Sequence, residues 1–122
     1  MLMSIVETSK AGNVSISDDV IMAILSQSIS ECYGLVAMAP KDLLEGLNLK
    51  ISEKGRKKGI AIQSHDDFSV TVDLHVIVAY GVRIPEVART VMERAKIAIE
   101  TQLGIQVREV NINVHGIKVP KG

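Results

Sequence analysis

Between Ser69 and Ile117 the chain runs as a strand, a long amphipathic helix and a second strand with almost no interruption. Val70, Val72, Leu74, Val76, Val78 and Tyr80 fall on one side of an extended backbone, and Thr71, Asp73, His75, Ile77 and Ala79 fall on the other. Strand side chains alternate with period two, so this pattern predicts one buried face and one largely polar face. Gly81 breaks the strand, and Pro85 suits the first turn of a helix, where a missing N–H costs nothing. Ile84, Val87, Ala88, Val91, Met92, Ala95 and Ile99 then recur as one apolar stripe, with Glu86, Arg89, Glu93, Arg94, Lys96 and Glu100 covering the other side. Gly104 ends this helix near Leu103. In the last strand Ile105 and Val107 share one parity, while Val110, Ile112 and Val114 share the other. An unbroken strand would turn its apolar side over, so a β-bulge or kink is expected near Arg108 and Glu109. Strand, helix and strand in one sheet should form a right-handed crossover.

The first half is built from shorter pieces. Ile5 and Val14–Ile16 suggest short strands around a turn at Ala11, Gly12 and Asn13. Ser17 is a good N-cap, followed by Asp18 and Asp19 in the first turn, and Ile21, Ile24, Leu25, Ile29 and Cys32 follow at helical spacing. The helix should run from about Asp18 to Tyr33 and stop at Gly34. Leu35–Ala39 reads as a buried strand or extended connection before Pro40, and Lys41–Leu49 as one or two helical turns with Leu43, Leu44 and Leu47 inward. Gly55, Arg56, Lys57, Lys58 and Gly59 read as a basic turn leading into a strand at Ile60 and Ile62. His65, Asp66 and Asp67 then make an exposed turn that joins this strand to the long one as a hairpin. Residues 116–122 read as a flexible tail. The length of 122 residues fits a single domain, 1–122. The expected fold is α+β: a small mixed β-sheet of three to four strands with two long helices packed on one face.

Composition narrows the function classes. Apolar residues make up 47% of the chain but aromatics only 2%, so the core must be aliphatic and there is no platform for stacking bases. Fourteen Lys and Arg balance fourteen Asp and Glu, so no overall basic field draws the chain to nucleic acid. The same balance does little to hold copies apart, which favours self-association. A single cysteine, Cys32, excludes an internal disulfide and a multi-cysteine metal site, as suits a reducing cytoplasm. No apolar run approaches the roughly 20 residues that span a bilayer, and the N-terminus lacks the features of a signal peptide. The expectation is a cytoplasmic protein, with membrane association only through a partner.

Side chains capable of chemistry are sparse. His75, His115, Asp73 and Glu109 share the non-core parity with Asn111 and Asn113, and on neighbouring strands they could gather around a divalent metal. The plainer reading is a sheet face open to water or covered by a partner, and no metal or cofactor is assigned. Cys32 sits on an apolar helix face and reads as a buried structural residue. No G-x-S-x-G elbow surrounds Ser26, Ser28 or Ser30. The run GRKKG matches no phosphate loop. Arg56, Lys57 and Lys58 could still offer cations to an anion or an RNA backbone, the plainer reading being a solvated turn that guards a hairpin edge. Asp18–Asp19 and Asp66–Asp67 look like capping and turn chemistry rather than an acid–base pair. No catalytic residue is assigned.

The string Val72 to Gly81, then Ile84 to Ala88, then Gly104–Ile105 and Val110 to Ile117 resembles the alkaline shock protein or YloU-like family, the envelope stress response proteins of Gram-positive bacteria. Gly12, Val14 to Ile16 and Tyr33 to Val36 fit as well, and the compact length is most similar to the short YloU-like branch. The resemblance implies a non-enzymatic protein that self-associates, with some members held along the membrane by a small anchored partner. It also implies a link to a dihydroxyacetone-kinase-like protein related to fatty-acid kinases.

The leading expectation is therefore an assembly or adaptor protein linked to cell-envelope stress or homeostasis, a homo-oligomer with a membrane-anchored or kinase partner. Its candidate surfaces are the sheet face of Asp73, His75, Asn111, Asn113 and His115, and the helix face of Glu86, Arg89, Glu93 and Lys96. The alternatives are an accessory protein for a fatty-acid kinase system and a nucleic-acid module centred on Arg56, Lys57 and Lys58.

Overall fold

The computed structural model describes residues 4–9, 12–47 and 51–120, with side chains from Val14 onward. Residues 1–3, Ala11 of the expected first turn, Leu49, Lys50 and the last two tail residues lie outside that description. The elements in chain order are β1 (Ser4–Ser9), β2 (Gly12–Ser17), α1 (Asp18–Ile29), β3 (Leu35–Met38), α2 (Lys41–Leu44), α3 (Glu53–Lys58), β4 (Ile60–Ser64), β5 (Ser69–Ala79), α4 (Ile84–Leu103) and β6 (Gln106–Lys118). β1 and β2 form their own antiparallel ribbon. The remaining strands form an α+β fold's mixed sheet around β5.

β5 is the axis of that sheet. β6 runs parallel to it from Ser69↔Gln106 to Ala79↔Lys118 and so takes one whole edge. The other edge is shared by two antiparallel strands, β4 along Val70–Leu74 and β3 along Val76–Val78. The hand-over falls at His75. Its N–H donates to Gly59 O (2.8 Å) and its carbonyl accepts from Ala39 N (2.7 Å). Gly59 is in the left-handed region (φ +72°), and a side chain there would sit 2.9 Å from that same His75 carbonyl, so only glycine fits the seam.

α1 and α4 pack together on one face of the sheet. Ile21, Met22, Leu25 and Ile29 from α1 meet Val87, Val91, Ala95 and Ile99 from α4 over Val70, Val72, Leu74, Val76 and Val78. The core is aliphatic throughout, as the composition required. Cys32 is buried beside it, and burial pushes its thiol pKa up, which suits a structural residue. The bulge expected near Arg108 is present. Val70 pairs with Val107 and Thr71 with Glu109, so Arg108 is the extra residue.

Several local expectations are corrected. The basic segment is not a turn but the helix α3: Ser52 Oγ caps it by accepting from Gly55 N (3.0 Å), its cations sit in the last turn, and Gly59 stops it. Ser17 occupies the N-cap position of α1 with extended backbone but makes no capping bond, and α1 ends at Ile29 rather than Tyr33. Of the three leucines expected inward, only Leu44 is buried; Leu43 and Leu47 are exposed, because α2 is a single turn. β3 is an edge strand exposed at Val36 and Ala37 rather than a buried one. Residues 116–118 continue β6, and Lys118 O accepts from Tyr80 N (3.0 Å), so the segment from Gly116 to Lys118 is strand rather than tail.

Candidate interaction surface

The face of the sheet away from α1 and α4 carries the polar residues singled out in the sequence. The parallel register sets Asp73 beside Asn111 and His75 beside Asn113. A second irregularity then places Val76 against Val114 and Ile77 against Gly116, leaving His115 as the extra residue. That bulge was legible in a parity break between Val114 and Ile117, which both face the helices, and the sequence reading missed it. It swings the His115 ring onto His75. His75 Nδ1 and His115 Nε2 lie 2.7 Å apart, one donating and one accepting according to tautomer, with the ring centroids 4.9 Å apart.

The other polar groups are also committed to one another. Asn111 Nδ2 donates to Asp73 Oδ1 (2.9 Å), and Asn113 Nδ2 points at the Leu74 carbonyl (3.4 Å). His65, expected to be exposed, is half-buried and pairs its Nε2 with Thr71 Oγ1 (2.7 Å). The face is less open than the alternation implied, since Ser69, Thr71 and His75 are all buried. Burial depresses the His75 pKa most, the charge on His115 depresses it further, and the Asp73 carboxylate partly offsets both. Glu109, the fourth residue of the supposed metal set, stands against Thr71, four pairs down the ladder from His75, and is exposed. Among the described residues no group of three or more His, Cys, Asp or Glu is placed to hold a metal.

Glu86, Arg89, Glu93 and Lys96 are exposed along α4, as a charged stripe opposite the core should be. Glu86 makes a surface ion pair with Arg83 (3.7 Å). Glu93 and Lys96, with Met92, border a shallow groove whose other wall is Val107–Val110 of β6. The three basic residues of α3 do not act as one cluster. The Arg56 guanidinium donates to Leu44 O (2.7 Å) and ties α3 to α2, while Lys57 and Lys58 are exposed.

A family model for alkaline shock protein 23, described by a cell envelope-related function, matches residues 6–119. The chain is 34% identical over 118 residues to the uncharacterised protein Spy1614 of Streptococcus pyogenes, covering 96% of this chain and 97% of that one. It is 32% identical over 118 residues to the uncharacterised protein YloU of Bacillus subtilis, covering 96% and 98%. A second Bacillus subtilis protein, the uncharacterised YqhY, is 29% identical over 112 residues, covering 92% and 82%. No solved structure matches.

Proposed function

The chain belongs to the alkaline shock protein 23 family, whose function is cell envelope-related, and from that premise we propose that it is a non-enzymatic assembly or adaptor protein acting through self-association and protein partners. One observation carries this reading: the side chains best suited to chemistry are paired with each other. His75 engages His115 and Asp73 engages Asn111, across two strands of a rigid sheet. Mutual hydrogen bonds hold these groups in a fixed polar relief that a partner can recognise. The stripe of Glu86, Arg89, Glu93 and Lys96 on α4 offers a second recognition surface. No described helix is long and apolar enough to cross a membrane, so contact with the envelope is assigned to a partner protein.

The test is to tag the chain in its host, crosslink, and identify what co-purifies, alongside mass measurement in solution. The expected result is self-association together with a membrane-anchored protein. A strict monomer at high concentration that co-purifies with nothing overturns the reading. A kinase as the dominant partner, with altered turnover when this chain is added, selects the accessory-protein version. For the basic segment, the bond from Arg56 to Leu44 already accounts for one of its three cations, and nothing in the structure favours nucleic acid over a solvated helix end.

A further inference from the structure

Resting on the self-association reading, we propose that two copies of this chain pair through the outer edges of β6, antiparallel about a two-fold axis at Ile112. β6 is a 13-residue strand bonded to β5 along one edge, and no described strand takes the other. A long row of unpaired N–H and C=O groups is a template for another strand. The side chains add a second sign. Val110, Ile112 and Val114 lie on the helix side opposite Val72, Leu74 and Val76, which are 0% exposed, yet Val110 and Ile112 are only partly covered and Val114 is 37% exposed. The apolar row of β6 therefore reaches past the cover that α4 provides.

The occupant follows from the residue pattern. A two-fold interface must be complementary to itself, each residue meeting its symmetry partner. Antiparallel pairing centred on Ile112 sets that residue against its own copy and Val110 against Val114 of the second copy. It sets Asn111 against the second copy's Asn113, and Glu109 against its His115. Directly opposed residues share a face, so apolar meets apolar on the helix side, while amide meets amide and carboxylate meets imidazole on the other. The five central residues lie between the bulges at Arg108 and His115, where the strand is regular. Above the edge, Glu93 and Lys96 flank the β6 groove with opposite charges one helical turn apart. The zero formal net charge leaves no long-range repulsion to overcome.

Sedimentation equilibrium of the full chain tests this. The wild type is expected to dimerise. Val114→Lys, at a partly exposed position, should weaken the dimer at least a hundredfold without changing the far-UV spectrum of the monomer. Ile112→Cys should give a disulfide-linked dimer on mild oxidation. If the wild type associates but Val114→Lys associates equally well, this interface is overturned while self-association stands. A wild type that stays monomeric at high concentration overturns this interface as well, and the adaptor reading then rests on its partners alone.

Discussion

β5 and β6 lie side by side along their whole length and carry the same alternation of apolar and polar residues, but their environments differ. β5 has a strand on each edge and two helices above it, and Val70, Val72, Leu74, Val76 and Val78 are between 0% and 1% exposed. Among the described residues β6 has one neighbouring strand, and exposure on its helix side reaches 37% at Val114 and 51% at Ile117. Alternation encodes which face of a strand turns inward; the number of neighbouring elements decides how completely that face is covered.

The largest expected effect tests this difference by truncation. Leu74→Ala removes a fully buried side chain from a site that cannot collapse and should cost about 3 to 4 kcal/mol. Ile112→Ala, in the paired position on β6, should cost about 1 kcal/mol because much of the lost area is already in contact with water. Urea denaturation at a concentration where the chain is monomeric measures both. Equal losses would break the comparison. A larger cost for Ile112→Ala under dimerising conditions would sharpen it, because the missing cover would then be a second copy.

The two faces of β5 differ in kind as well. On the polar face, His75 is buried with its pKa held below the ordinary 6.5 by burial and by His115, while Asp73 pulls the other way. The unfolded chain therefore takes up this proton first as the pH falls. Stability should decline from near pH 7 downward, until the pH passes the folded-state value, by at most about 1.4 kcal/mol per pH unit. His75→Gln should flatten that part of the profile between pH 7.5 and 5.5, with the difference between the two proteins reporting the hydrogen-bonded His75–His115 pair. Parallel profiles would show that the ring is not desolvated and that the polar face is as open as a simple alternating strand implies.

Much of this was readable in the residues because it depends on local periodicity. The stripe from Ile84 to Ile99 fixed α4 and its buried side, and the parity break between Val107 and Val110 located the bulge at Arg108 within one residue. The parallel pairing of β5 with β6 followed from the helix between them, whereas the meeting of His75 with His115 depends on the second bulge of β6, which the sequence reading missed. What the residues did not disclose depends on long-range placement. Nothing local says that β3 and β4 would share one edge of β5 and meet at His75, or that His65 would fold back onto Thr71. The GRKKG run was misread because its capping residue, Ser52, lies before the motif, and because the role of Arg56 is set by a carbonyl twelve residues upstream.

The bulge at Arg108 supplies the smallest effect, since it concerns how the entry to β6 is fastened to the rest of the sheet. Displaced from the ladder, Arg108 reaches across to the turn between β4 and β5, where its guanidinium donates to Asp67 Oδ2 (3.1 Å). Asp67 also accepts from the hydroxyl and the backbone N–H of Ser69, and these bonds together with Arg108 lower its carboxyl pKa to about 2. A depressed carboxylate stabilises the folded state above its ordinary pKa of 3.8, and that contribution fades as the pH falls towards 2. Both side chains are exposed, so the ion pair itself should add little to global stability. Arg108→Ala should therefore leave the denaturation midpoint at pH 7 almost unchanged. The Asp67 pKa, followed by NMR titration, should rise only part of the way towards 3.8, because the Ser69 bonds remain and are the larger cause. A full return to 3.8 would mean that Arg108 holds the turn in place for Ser69, and that the start of β6 is secured by this exposed contact as well as by the ladder.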